Sequence, residues 1–334
     1  MTEERFSDLG RVEAIARLYD GTPYKPFENS RFETDGKCLI TSHSRTFIEG
    51  IDFDLIYFPL RHLGYKCATA VTGELYAGFS HPRVMDVRLG ISSKLDFGHI
   101  RELWDGIVTA AKEHGYKTVT LDLTPSPNGL TINISACGET SLLTAKRRPQ
   151  PKTMDLICIS DNLGAAYMGF QVLEREKRNF EKSGDVQAQP KLEDYRNLVG
   201  AYLKPQINPQ IIKLMEEDEI IPSNGYLVTR GLADAVKRLV RDTGTGAKIY
   251  VDKLPFAGKT FELGKEMNID PVSAALNGGE DYRLLFTIPI GKHDKFRHNF
   301  QTFDIIGHLA KPEVGAALVT PEGVELQMKA QGWK

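Results

Sequence analysis

Apolar residues recur along this chain at two spacings, every second position and every third or fourth, and stretches of the two kinds alternate. Leu39-Ile40-Thr41-Ser42 opens the first clear strand, and Val84 to Ile91 alternates inward and outward as a half-buried strand does. Asp8 to Tyr19 has the period of an amphipathic helix, as has His99 to His114, which Gly115 ends. Thr118 to Leu123 and Leu130 to Ser135 read as strands joined through Pro-Ser-Pro-Asn-Gly. Asp155 to Ser160 reads as a short buried strand, and Gly164 to Arg178 begins a long helix through small residues. Lys177 to Lys191 is charged and lacks an apolar period, which predicts a mobile loop. Strands and helices joined by short turns predict an α+β fold with helices on one face of a sheet.

A length of 334 residues is long for one core and suits two, and 41% hydrophobic residues can fill both. Lys146 to Lys152 is polar, carries two prolines and has no apolar side chain, so it predicts a boundary between domains 1–147 and 148–334. A net charge of −2 gives no reason to expect nucleic acid, and Lys146-Arg147-Arg148 reads as a solvated linker. No apolar run reaches membrane-span length and the charged start lacks a signal-like core, so a cytoplasmic protein is expected. Cys38, Cys67, Cys137 and Cys158 sit singly, without the spacing of a zinc set or a redox pair.

One stretch stands out chemically. Gly278-Gly279-Glu280-Asp281-Tyr282 places two carboxylates at a glycine turn before the apolar run Leu284 to Pro289. Taken alone, it serves equally well as a ligand site or as a hairpin-like entry with solvated acids.

With its neighbours, this turn resembles the thiamine-monophosphate kinases of the AIR synthase-related superfamily, over nearly the whole chain. The Gly-Gly-Glu-Asp-Tyr turn is intact. Phe47 to Phe53 is similar to a family segment reading Leu-Val-Glu-Gly-Val-His-Phe, with Asp52 in place of histidine. Leu63 to Val71 follows a family helix, and His81-Pro82, Gly231-Leu232, Leu254-Pro255-Phe256 and Ile306-Gly307 fall in order. The resemblance implies a two-domain fold, with an N-terminal sheet domain bearing helices on one face and a C-terminal α+β sandwich. It also implies a homodimer through the N-terminal sheets, and the strands around Leu39–Ser42 and Val84–Ile91 are expected to carry apolar faces on both sides.

The resemblance further implies magnesium, ATP and phosphorylation of thiamine monophosphate to thiamine diphosphate. On the substrate it places Glu280, Asp281, Asp52 and Trp333, whose indole would favour a cationic thiazolium by about 0.5–2 kcal/mol; a terminal tryptophan covering apolar surface is the alternative. Lys146, Thr229, Arg230 and Arg45 fall at phosphate positions, and Glu74 and Asp122 at metal positions. The family's acids are otherwise replaced: its early Gly-Asp-Asp is absent, and Arg45 and Arg230 stand where aspartates are usual. Magnesium needs hard oxygen ligands, whereas a guanidinium stays charged and binds phosphate directly. Two function classes follow, a kinase with a reduced metal set and a non-catalytic ligand-binding or regulatory homologue. A different ATP-consuming reaction of the superfamily is a third.

Overall fold

The structure is a computed structural model that describes residues 12–13, 16–17, 20, 22, 30–34, 36–183 and 192–330. Trp333, most of the helix expected from Asp8 to Tyr19, and residues 184–191 of the expected loop lie outside the described residues. Contacts group the chain into two compact units, 29–147 with 165–218, and 1–28 with 148–164 and 219–334.

The first unit is built on a five-stranded sheet. Its strands are β1 (Ser30–Thr34), β2 (Cys38–Ile48), β3 (His81–Ile91), β4 (Thr118–Pro125) and β5 (Thr131–Ser141), in the order β1-β2-β5-β3-β4. Only β3 and β4 run parallel. Alternation in β3 and β5 sends Met85, Val87, Leu89, Ile132, Ile134 and Ala136 to one face, where they are buried. Helices α1 (Leu60–Ala77) and α2 (Phe97–Glu113) pack together in the helical layer, with α1 against β5 and β2. The α1–α2 crossing is close because two glycines face backbone: a Cβ on Gly64 would lie 2.0 Å from the Leu103 carbonyl oxygen, and one on Gly106 2.0 Å from that of Arg61. Asp96 starts α2 by accepting the His99 amide at 3.0 Å. A short α3 (Leu142–Lys146) follows β5.

The opposite face of this sheet corrects the expectation of apolar residues on both sides. Ser44 bonds Ser135 at 2.9 Å, Asn133 donates to Thr46 at 2.7 Å, Thr120 donates to Asp86 at 2.5 Å, and Arg83 pairs with Glu139. Cross-strand hydroxyl, amide and ionic pairs stabilise an exposed sheet face without a covering layer.

Residues 165–218 add α4 (Ala165–Ser183), α5 (Arg196–Leu203) and α6 (Ile211–Glu217) to this unit. The expected division after residue 147 gave them to the C-terminal domain, but Tyr202 of α5 packs on Phe58 at 5.5 Å and on Phe170 of α4 at 5.3 Å. The expected loop is corrected over residues 177–183, which continue α4: Lys177 is half-buried and pairs with Asp54 at 2.6 Å, and residues 178–182 are exposed.

The second unit holds a seven-stranded sheet. It comprises β6 (Leu156–Ser160), β7 (Asn224–Val228), β8 (Gly246–Tyr250), β9 (Arg283–Ile288), β10 (Phe303–Ala310), β11 (Ala316–Val319) and β12 (Glu325–Gln327), in the order β12-β11-β8-β10-β6-β9-β7. Its helices include α7 (Leu232–Thr243), α8 (Thr260–Met267), α9 (Pro271–Asn277) and α10 (His293–Asn299). Ile157, Ile159, Leu285 and Ile306 from the sheet pack with Val236 and Leu239 of α7 in one core. Among the described residues, no helix is long and apolar enough to cross a membrane.

Candidate functional site

Strand register in the second unit gathers one set of polar side chains at a single sheet end. Val228 pairs with Arg283, Ile159 with Leu285, and Ser160 with Phe303. The end of β6, the end of β7, the start of β9 and the start of β10 therefore lie side by side. The residues that follow or precede these strand ends, Asp161-Asn162, Thr229-Arg230 and Glu280 to Tyr282, share that edge.

The Gly278–Tyr282 turn is held against the end of β7 by backbone bonds. Glu280 N donates to Thr229 O at 2.8 Å and Tyr282 N to Val228 O at 2.9 Å. Gly279 has φ +77°, and a Cβ there would lie 2.9 Å from Thr229 O, so the second glycine is needed for both conformation and approach. Glu280 and Tyr282 also adopt positive φ, 65° and 50°. Such residues cost on the order of 1–3 kcal/mol each and cluster at ligand sites.

The two acids of the turn have different surroundings. Asp281 is 2% exposed and accepts the Gly164 amide at 2.9 Å, so its carboxylate ties two chain segments together. Glu280 is half-buried, and its Oε2 accepts the Tyr282 hydroxyl at 3.1 Å. Thr229 is buried, its carbonyl bonded to the turn, and Arg230 is exposed beside it. The substrate and phosphate positions in this unit are thus brought together, with Glu280 as the more accessible acid.

Three further charged residues stand at the same edge and carried no signal of their own in the sequence. Arg283 pairs with Asp161 at 3.1 Å and donates to the Asn162 carbonyl at 3.0 Å. Burial raises the Asp304 carboxyl above its ordinary value, and the Asp161 charge raises it further. Position was the only available clue: Asp161 follows an apolar strand and Arg283 follows the glycine turn. Carboxylates interleaved with a guanidinium can hold a ligand bearing both cationic and anionic groups.

The remaining candidates lie in the first unit. Arg45 pairs with Asp52 at 3.6 Å and lies 4.7 Å over the Phe47 ring. Asp52 also accepts the Ile48 amide at 2.9 Å, closing the turn that follows β2. These two departures from the family pattern therefore meet each other. Lys146 is exposed at the end of α3.

Glu74 and Asp122 are not brought together. Glu74 is 5% exposed within α1, whereas the Asp122 side chain is 73% exposed and faces Arg88 at 3.9 Å on the outer side of the sheet. Among the described residues, no group of three or more His, Cys, Asp or Glu side chains is placed to hold a metal ion. The donor set does not fit magnesium, which needs several oxygen ligands converging in near-octahedral geometry.

No family model matches the chain. Among curated proteins it is 23% identical to the thiamine-monophosphate kinase of Aquifex aeolicus over 287 residues, 86% of this chain and 84% of that one. It is 26% identical to that of Pyrococcus horikoshii over 275 residues, 81% and 78% of the two chains. Among solved structures, AaThiL complexed with AMPPCP and TMP superposes with a TM-score of 0.80 at 19% identity, covering 100% of this chain and 99% of that one. Two sheets, ten described helices and a sequence match through both units make the chain similar to the thiamine-monophosphate kinases in both sequence and fold.

Proposed function

We propose that this chain is a ligand-binding homologue of the thiamine-monophosphate kinases that takes up a phosphorylated, thiamine-like ligand without magnesium. The observation that carries this reading is the separation of Glu74 from Asp122, with Arg45 already paired to Asp52. Phosphoryl transfer needs metal ions that bridge the phosphates and neutralise developing charge. Carboxylates on opposite sides of a sheet cannot share one ion. The intact turn with Glu280, flanked by Arg283 and Arg230, supports retention of ligand binding. The related structure carrying AMPPCP and TMP makes ATP and thiamine monophosphate the ligands to test.

Calorimetry with each ligand, with and without magnesium, checks this. Binding of thiamine monophosphate should change less than twofold on adding metal, and Glu280→Gln should weaken it about tenfold, the equivalent of about 1.4 kcal/mol. Kinase turnover on the order of 1 s⁻¹, as in ordinary kinases, would overturn the reading. So would magnesium-dependent ATP affinity that Glu74→Gln removes. The alternative of an active kinase draws support from the sequence match over 86% of the chain.

We also propose a homodimer through the first unit. Support comes from β4, an edge strand of the sheet, which leaves Leu121 and Leu123 exposed beside Phe97 in an open apolar groove. Edge strands with apolar side chains are ready templates for pairing. Sedimentation should give a dimer at micromolar concentration and a monomer for Leu123→Glu; a monomeric parent protein would sink the proposal.

A further inference from the structure

The first unit contains a concavity lined by basic side chains that the kinase resemblance does not use. Arg61, His62 and Tyr65 of α1, Gly106 and Thr109 of α2, and Lys204 just after α5 line a pocket of about 290 Å³. The geometry points to an anion site here, sized for inorganic phosphate or a small phosphomonoester.

Charge is the first argument. Arg61 and His62 stand in the first turn of α1, which contains no acidic residue and no side-chain cap. The amide dipoles at a helix N-terminus favour anions and oppose cations, so two basic side chains there are electrostatically misplaced unless a negative group joins them. Lys204 adds a third base. Neither Arg61 nor Lys204 has a carboxylate at ion-pairing distance among the described residues.

The pocket's construction is the second. Gly106 leaves room where a Cβ would strike the Arg61 carbonyl. Tyr65 is anchored at its far end by donating to Glu113 at 3.0 Å, and its ring lies 4.9 Å beneath the Lys204 ammonium. Thr109 donates to the Asp105 carbonyl at 2.6 Å, so its side chain is fixed. His62 Nδ1 is buried without a hydrogen-bond partner. A buried polar atom without a partner is destabilising, and a phosphate oxygen would supply the acceptor that a protonated imidazole needs.

The third is the response of His62 itself. Burial holds its imidazole below the ordinary value, and the Lys204 and Arg61 charges lower it further. Positive field without compensation is the signature of a site built to receive negative charge. A guanidinium can grip two phosphate oxygens at once while an ammonium acts as a point charge. The volume accommodates a phosphate group with a few carbons attached. These residues all belong to the first unit, so the inference does not depend on the ligand proposed for the Gly278–Tyr282 turn.

Histidine-resolved NMR titration of the full chain, in sodium phosphate and in sodium chloride at equal ionic strength, tests it. His62 should titrate about half a pH unit or more higher in phosphate, because a bound anion favours the charged imidazole. His308 is an internal control: it too is held low by burial and by Lys248 and Lys253, but in the second unit, and it should not move. Glycerol phosphate should reproduce the effect if the site accepts an esterified phosphate, and fail to if it takes only the free ion. Lys204→Met and Arg61→Gln should each abolish most of the rise while leaving the melting temperature unchanged. Identical titration of His62 in the two salts, an equal rise at His308, or a rise that survives both substitutions would overturn the assignment.

Discussion

Gly64→Ala should destabilise the protein by about 3 kcal/mol or more, although alanine is the better helix former. In an unpacked helix the change would gain about 0.5–1 kcal/mol by restricting the unfolded chain and improving propensity. Gly64 is instead set into the crossing with α2, where its Cβ would lie 2.0 Å from the Leu103 carbonyl oxygen and 3.0 Å from the Ile107 amide nitrogen. Both obstacles are backbone, so no rotamer change relieves them. The helices would have to separate by more than 1 Å, opening space among Leu63, Leu103, Ile107 and Ala110, which are fully buried. Gly106→Ala meets the Arg61 carbonyl in the same way and should cost a similar amount. The two together should cost less than their sum, since one separation accommodates both. Gly200, in α5, has nothing within 4 Å of its Cβ position, so Gly200→Ala should be neutral or slightly stabilising. Urea unfolding at constant m reads all four proteins. A Gly64→Ala midpoint at or above that of Gly200→Ala would show that the crossing is not as tight as described.

The sequence displayed some of this architecture because some elements bury only one side. Val84 to Ile91 alternates since one face packs on α1 while Asp86 and Arg88 face outward, and a period of two survives in the residue types. Helix α1 offers no comparable pattern. Lys66, Thr69, Thr72 and Glu74 are buried along with Leu63, Val71 and Leu75, so polarity no longer marks a side, and only the family resemblance located the helix. Residues 177–183 look like a loop for the opposite reason: beyond Lys177 they form the solvated end of an amphipathic helix, where charge hides the helical period. The placement of 165–218 with the first sheet depends on Tyr202 reaching Phe58 across 144 positions, which no local pattern encodes. The candidate site divides in the same way. Glu280 and Asp281 announce themselves through two glycines, because the turn needs positive φ. Asp161, Arg283 and Asp304 become neighbours only when β6, β9 and β10 pair in register. Arg45 and Asp52 each appear as a separate departure from the family until the turn after β2 brings them together.

Acidification should weaken the fold through His114. This residue caps the end of α2, is 5% exposed, and accepts from or donates to the Tyr76 hydroxyl through Nδ1 at 3.0 Å. Its Nε2 is buried without a partner, so a second proton would place an unsatisfied N–H in the core. Two effects oppose this: the helix C-terminus favours a cation, and Glu113 raises the imidazole. Burial prevails and pushes His114 down to about 4 from an ordinary 6.5. Between those values the unfolded chain binds the proton and the folded one does not, so stability rises with pH across the window. It is fully present above about pH 6.5 and is lost as pH falls toward 4. At 1.36 kcal/mol per pH unit, the loss between pH 6.5 and 5 is about 2 kcal/mol, and the whole window is worth about 3 kcal/mol. His62 and His308 are held low as well and add to the slope in the same direction, so the parent curve alone does not isolate His114. His114→Gln does, since glutamine can keep a bond to Tyr76 and cannot take up the proton. The variant should be less stable than the parent at pH 7.5 through lost packing, and the gap between them should narrow by about 2 kcal/mol by pH 5 as the parent loses its histidine contribution. Denaturant midpoints measured at half-unit intervals from pH 5 to 7.5 give that difference directly, and two parallel curves would mean that His114 is protonated in the folded protein at the same pH as in the unfolded chain.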